Sequence, residues 1–268
     1  MVKMASFLLT CGATLWLLCA CGASQSAQSP TAPSSAAAWQ DEFDRDGLPD
    51  PSRWDYEVGM IRNNERQYYT RERTNNARVS NGVLIIEAHR ERFQNADYTS
   101  ASLTSRANWT FARIDVRARV PKGRGSWPAI WTLGTNIREA GWPECGEIDI
   151  MEHVGFEPGR IHANIHTKAY NHVQRTNKGN SIMVPSADGE FHVYSAEWTP
   201  QQISVFVDGE RYFTFAKESG GTAVWPFDRP QYLILNLAIG GNWGGQQGID
   251  DDAFPMRYEV DYVRVRPL

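Results

Sequence analysis

"ISVFVDGERYFTF", residues 203–215, decides the fold. Ile203, Val205 and Val207 recur at every second position before Asp208–Gly209, and Phe213 and Phe215 do so after it. A period of two belongs to a strand with one covered face, not to a helix. Asp-Gly between two such runs supplies the residues that tolerate positive φ in a two-residue hairpin. Reading outward, "VLIIEA" (83–88) follows a second turn at Asn81–Gly82, and "FARIDVRARV" (111–120), "IHANIH" (161–166), "FHVYSAEW" (191–198) and "RYEVDYVRV" (257–265) alternate or are β-branched. "YLILNLAI" (232–239) is almost wholly apolar, as in a strand buried on both faces. No helical pattern of any length competes. The expected fold is all-β, a two-sheet antiparallel jelly-roll sandwich with a concave substrate cleft.

The alternation also assigns faces. In "IHANIH" one face carries Ile161, Ala163 and Ile165, and the other His162, Asn164 and His166. A sheet that collects acids, imidazoles and amides on one side offers a binding cleft there instead of a second core.

Before the folded part, "ASFLLTCGATLWLLCA" (5–20) is too short for a comfortable membrane span and suits the apolar region of a signal peptide. "LCAC" (18–21) resembles a bacterial lipobox, so residues 1–20 are expected to be removed and Cys21 to carry a lipid. Residues 21–38, rich in Ser, Ala and Pro, have too little apolar surface to fold and form a tether. Residues 39–268 are the expected folded domain, about 230 residues long and large enough for a sizeable core. The chain is therefore read as exported and held at a bacterial surface or outer membrane through the anchor alone.

Of four cysteines, three precede residue 22, which leaves Cys145 without a partner for a disulfide. It reads as a small packed residue. A formal charge of −4 argues against nucleic acid or another polyanion as partner.

"ECGEIDIMEHVG" (144–155) carries the chemistry. Glu147 and Asp149 share a strand face, whereas Glu152 falls on the opposite one unless an extra residue resets the pleat. A β-bulge at Met151 would do so. The outer two Cα atoms would then lie roughly 13 Å apart, and leaning glutamates could bring their carboxyls to about 5 Å, the separation of a retaining glycosidase. Tryptophan is the second signal: of ten in the chain, nine lie outside the leader. Trp54 and Trp198 fit a core, but Trp142 and Trp243 sit among Gly and Pro in loops, where a sugar platform is a better reading. His162 and His166 with the acids could instead bind a transition metal, although HExxH and CxxC are both lacking.

"GEIDIMEHVG", preceded by "GSWPAIWTLG" and "GWPEC", resembles glycoside hydrolase family 16 in its laminarinase-like branch. The likeness extends from "DEFD" (41–44) and "NNERQYYT" (63–70) to "EVDYVRV" (259–265). It implies a retaining endo-hydrolase of β-1,3-glucan, mixed β-1,3/1,4-glucan or both, with a monomer as the expected state and no cofactor in catalysis. By the same resemblance Glu147 is the nucleophile, Glu152 the acid/base and Asp149 the assisting carboxylate. Asn64, Arg106, Trp127, Trp131, Trp142 and His166 would line the cleft, with Trp243 on a bordering loop. Relatives often hold a structural Ca²⁺, whose matching ligands here are Glu42, the Gly82 carbonyl and Asp261. A glycan-binding surface protein without turnover, or a family enzyme for another glucan or a galactan, is the alternative.

Overall fold

In a computed structural model, residues 39–268 are described; the leader, the tether and Cys21 lie outside the described residues. The alternating runs become strands: β1 (Trp39–Asp41), β2 (Trp54–Tyr56), β3 (Gln67–Tyr69), β4 (Ala77–Ser80), β5 (Val83–Phe93), β6 (Ala96–Ser100), β7 (Ser102–Trp109), β8 (Ala112–Arg119) and β9 (Ser126–Gly134) in the first half. One helical turn, α1 (Ile137–Ala140), precedes β10 (Glu147–Glu152), β11 (Arg160–His166), β12 (Lys178–Met183), β13 (His192–Trp198), β14 (Gln202–Val207), β15 (Glu210–Ala216), β16 (Gln231–Ile239) and β17 (Met256–Pro267).

Two sheets result. The ten-stranded sheet runs β15-β14-β13-β8-β17-β5-β6-β3, with β1 also on β17 and β4 also on β5. The seven-stranded sheet runs β12-β11-β10-β9-β16-β7-β2. All pairings are antiparallel except β3 with β6. The expected hairpin turns form, with φ of 54° and 76° at Asn81 and Gly82 and 49° and 84° at Asp208 and Gly209. Asp208 does more than turn: one carboxyl oxygen accepts from Val193 N at 2.8 Å, and the other lies 2.6 Å from His192 Nδ1. Ser186 Oγ is 3.0 Å from Nε2 of the same ring. The start of β13 is thus pinned to the β14–β15 turn.

The facing sides of the sheets form one apolar core. Ile114, Val116, Val260, Val263 and Val265 come from the larger sheet, and Ile148, Ile150, Met151, Ile161, Ile165, Leu233, Leu235 and Leu237 from the smaller. Each fully buried side chain of this size contributes roughly 1.5–3 kcal/mol. Strand β16 is buried on both faces, as its composition implies: Leu233, Leu235, Leu237 and Ile239 enter this core, whereas Ile234 enters a smaller cluster with Ala129, Trp131, Leu133 and Cys145. That second cluster forms the floor beneath the concave face. On the outer face of the larger sheet, Arg113, Asp115, Arg117 and Arg119 of β8 pair with Glu197, Arg266, Asp261 and Glu259 on neighbouring strands.

Candidate active site

Strand β10 places the acids. Glu147, Ile148 and Asp149 pair with His166, Ile165 and Asn164 of β11, but Glu152 pairs with His162, two residues on along β11 and three along β10. Against β9 the shift falls between Asp149, opposite Trp131, and Met151, opposite Ile130. The expected bulge is present, and it consists of the pair Ile150–Met151, with Ile150 as the residue lacking a partner on β9. Both side chains are fully buried in the main core. Two successive inward side chains return Glu152 to the face of Glu147 and Asp149.

All three acids line a cleft of ≈1120 Å³ on the concave sheet. Each has a distinct setting. Glu147 Oε2 accepts from the Trp142 indole N–H at 2.7 Å. Asp149 is only 2% exposed, and its Oδ2 lies 3.2 Å from His166 Nε2, which is also 3.8 Å from Glu147 Oε1. Glu152, 8% exposed, accepts from Trp127 Nε1 at 3.1 Å on one oxygen and from Asn164 Nδ2 at 3.0 Å on the other. Ala129, opposite Glu152 on β9, is small enough to leave the space beside it open to the cleft.

Burial, and after it the charges of Glu147 and Glu152, push the Asp149 carboxyl well above the ordinary range. Burial is also what most raises Glu152. The His166 ring opposes that rise, Glu147 adds to it, and the Asn164 and Trp127 donors pull it back. Repulsion among the acids therefore ranks below desolvation in setting the proton affinity of Glu152.

The tryptophans do more than provide platforms. Trp127 and Trp142 each donate to a catalytic-motif glutamate. Trp142 also packs 5.9 Å from His166 and 5.0 Å from His172, ring to ring. Trp243 stands edge-on to Trp127 at 5.6 Å and to His162 at 4.9 Å, which makes a corner at the Glu152 end. Trp131 is 7% exposed, its N–H donates to Asn236 Oδ1 at 2.8 Å, and the Arg62 guanidinium sits 4.8 Å from its ring centroid. It is a wall of the cleft and not an open platform. Trp54 and Trp198 are in the core, as expected.

Asn64 lines the cleft and donates to Asn242 Oδ1 at 2.9 Å, so it braces the loop that carries Trp243. Arg106 is not brought to the cleft. Its Nε donates to Pro51 O at 2.6 Å and its Nη1 lies 3.7 Å from Asp55, at the outer end of β7. The arginine that does line the cleft is Arg62, ion-paired with Glu57, which also accepts from Ser102 Oγ at 2.6 Å. Arg62 lies in a loop without periodicity, and nothing in the sequence marks it. His172, Asn177, Tyr232 and Asn236 line the cleft as well.

Glu147, Asp149 and His166 place one donor atom each within 4.8 Å of one another, but His162 turns to Glu157 at 3.3 Å instead of joining them. On the convex side both oxygens of Glu42 accept from Arg264, at 2.8 Å each, so this carboxylate does not fit a calcium ligand. Asp261 sits at a register shift in β17, and its Oδ2 accepts from Arg117 Nη1 at 2.6 Å. Cys145 is buried, and burial pushes its thiol up to about 12, in keeping with a packing role.

Comparison with known proteins agrees with this geometry. The family described as "Glycosyl hydrolases family 16" matches residues 64–264. A β-glucanase of Rhodothermus marinus is 51% identical over 276 residues, covering 99% of this chain and 94% of that protein. The crystal structure of a laminarinase from the same organism superposes with a TM-score of 0.84 at 54% identity, covering 86% of this chain and 96% of that one. A non-specific endo-β-1,3(4)-glucanase mutant, co-crystallized with 1,3-β-D-cellotriosyl-glucose, gives a TM-score of 0.83 at 45% identity, covering 88% and 97%. With three acids on one face of a bulged strand and likeness along almost its whole length, the chain belongs to glycosyl hydrolase family 16.

Proposed function

We propose that the protein is an endo-acting, retaining hydrolase of β-1,3-glucan and of mixed β-1,3/1,4-glucan. One observation carries the reading: three carboxyls share a cleft face, with the outer two held by different donors and buried to different degrees. Two carboxyl groups set apart in this way suit an acid and a nucleophile. Relatives named for laminarin and β-1,3(4)-glucan support the substrate class.

In this mechanism Glu147, oriented by Trp142, attacks the anomeric carbon while Glu152 protonates the departing glycosidic oxygen. The product is a glycosyl ester on Glu147 and a free chain end. Glu147 no longer carries charge, which lessens the push on Glu152. Glu152 then takes a proton from the water that attacks the same carbon, and release restores both carboxyls. Asp149, between the two glutamates and against His166, keeps Glu147 in place. No cofactor enters.

The decisive experiment is proton NMR of the first product from laminarin or barley glucan, with viscosity followed in parallel. The β-anomer before mutarotation and an early fall in viscosity are expected. Initial α-anomer removes the double displacement, and glucose alone from the outset removes the endo mode. Binding without cleavage would favour the glycan-binding alternative.

Two further expectations belong with this reading. Export and anchoring through Cys21 rest on the "LCAC" motif and the tether after it; Cys21→Ser should move the protein from the membrane to the soluble fraction. A structural calcium is proposed in narrower form, with the Gly82 carbonyl and Asp261 Oδ1 as ligands, since Asp261 Oδ2 accepts from Arg117, and without the Glu42 carboxylate. Hard oxygen donors suit that ion. A higher melting temperature in calcium than in EGTA supports the site, and equal values remove it.

A further inference from the structure

Asn164 is engaged at both ends of its amide, one of them on a carboxyl of the site. Its Nδ2 donates to Glu152 Oε2 at 3.0 Å, and its Oδ1 accepts from Asn177 Nδ2 at 2.9 Å. An amide can present either end to a neighbour. Ionised Glu152 can only accept, so it takes the N–H end, and Asn177 donates to the Oδ1 that is left. The space is equally constrained. A Cβ on Gly179 of the adjacent strand would lie 2.4 Å from Asn164 Oδ1 and 2.4 Å from Ala163 O, so residue 179 must be glycine for the amide to sit where it does. Asn177 itself is exposed and lines the cleft together with His172 and Val173 of the same loop.

We propose that Asn164 is a positioning residue for Glu152, braced by Asn177 in the orientation that donates to the carboxylate, and that the 167–177 loop thereby sets the geometry of the acid/base. The proposal rests on the acid/base role of Glu152. With Trp127 on Oε1 and Asn164 on Oε2, the carboxyl plane is fixed from two strands. Rotation of Glu152 away from the glycosidic oxygen breaks one bond or the other, and misplacement of a catalytic group by even 1 Å can cost about 100-fold in rate. A donor to a carboxylate also favours its ionised form, so the amide offsets part of the rise that burial imposes on Glu152. The other charged or titratable groups facing Glu152 are Glu147 and Asp149 on its own strand, His162 and His166 on β11 and Tyr212 from β15. None of them is changed in the variants below.

Three variants test this: Asn164→Ala, the isosteric Asn164→Asp, and Asn177→Ala. The readouts are the pH profile of kcat/KM on glucan and kcat on an aryl glycoside with an activated leaving group, which needs little acid assistance. Asn164→Ala should lose roughly tenfold on glucan, part of the usual contribution of a general acid, and much less on the aryl substrate. Its alkaline limb should move to higher pH, because a donor that favoured ionised Glu152 is gone. Asn164→Asp should move that limb further, and Asn177→Ala less far in the same direction. An unmoved alkaline limb in both Asn164 variants overturns the proposal, and so does an equal loss on the two substrates. Glu152→Ala with added azide serves as the separate control: lack of azide recovery there would strike the acid/base role itself, whereas recovery alongside unmoved Asn164 profiles would strike only the amide relay.

Discussion

Asp149 is the most deeply buried acid of the site. It is 2% exposed, sits between two other carboxyls, and its proton affinity is raised chiefly by burial. A carboxyl that binds its proton more tightly in the folded than in the unfolded chain stabilises the fold fully below the ordinary carboxylate range. That contribution is lost as pH climbs from the ordinary value through the raised one. At neutral pH the fold therefore bears the cost of Asp149 being less readily ionised than it would be in the unfolded chain. Asp149→Asn keeps the shape and removes the charge, so its melting temperature should exceed that of the wild type at neutral pH by a few degrees, at about 2–4 °C per kcal/mol for a chain of this size. The gain should vanish near pH 3, where both states of the wild type are protonated. Activity should fall by about tenfold or more, because Glu147 loses its neighbour. Melting curves at the two pH values check this, and a variant less stable at neutral pH would mean that the carboxylate is compensated by His166 more fully than burial penalises it.

At the scale of the element, the bulge in β10 converts a strand of period two into a face with three acids, and its action can be tested by parity. Deleting Met151 leaves "EIDIE", in which regular alternation still points all three acids at the cleft, one step closer together. The fold should survive, short of one core side chain at a cost of about 2–5 kcal/mol, and activity should drop because Glu152 leaves its partners Trp127 and Asn164. Deleting Ile150 and Met151 together turns Glu152 into the core and should abolish both soluble protein and turnover. Soluble expression and laminarin hydrolysis of the two deletions distinguish these outcomes; equal behaviour would mean that β10 re-registers as a whole. Much of this was legible in the sequence. Strands of six or more residues with clean alternation, such as β11, β13 and β14, were plain, and so was the face that carries His162, Asn164 and His166. Three-residue strands such as β1, β2 and β3 carry too little pattern to show a period, and β9 was hidden because "GSWPAIWTLG" holds Pro128 and two tryptophans on a buried strand. The site failed where contact depends on loops. The resemblance puts Arg106 along the cleft and does not single out Arg62, because a linear sequence does not say which guanidinium reaches it, and the Glu42 carboxylate is taken by Arg264, 222 positions away.

At the scale of the whole domain, residues 39–268 are sewn together by pairings remote in sequence. β1 lies on β17, so the first described strand is held by the last, and β8 sits between β17 and β13. Topology of this kind folds slowly and opens cooperatively, since few elements can leave without breaking a sheet. The small cluster under the cleft is the exception, because it is roofed by Trp142, together with Ile137 and Tyr232, and not by a second sheet. Cys145 lies in it and reports on it. Its thiol is buried and is pushed up to about 12 by burial first and by the charge of Glu147 second. At pH 8 only about one thiol in ten thousand would be ionised, against a substantial fraction in an unfolded chain with a pKa near 8.5. Iodoacetamide should therefore leave the peptide containing Cys145 unmodified in the native protein, and labelling should appear across the same urea range as loss of tryptophan fluorescence. Trp142→Ala removes part of the roof without touching the sandwich core. In that variant Cys145 should label in the absence of urea while the main unfolding midpoint shifts little. Labelling of the wild type well below its unfolding midpoint would show instead that this cluster opens on its own, and that the floor beneath Glu147 is less rigid than the strands that carry it.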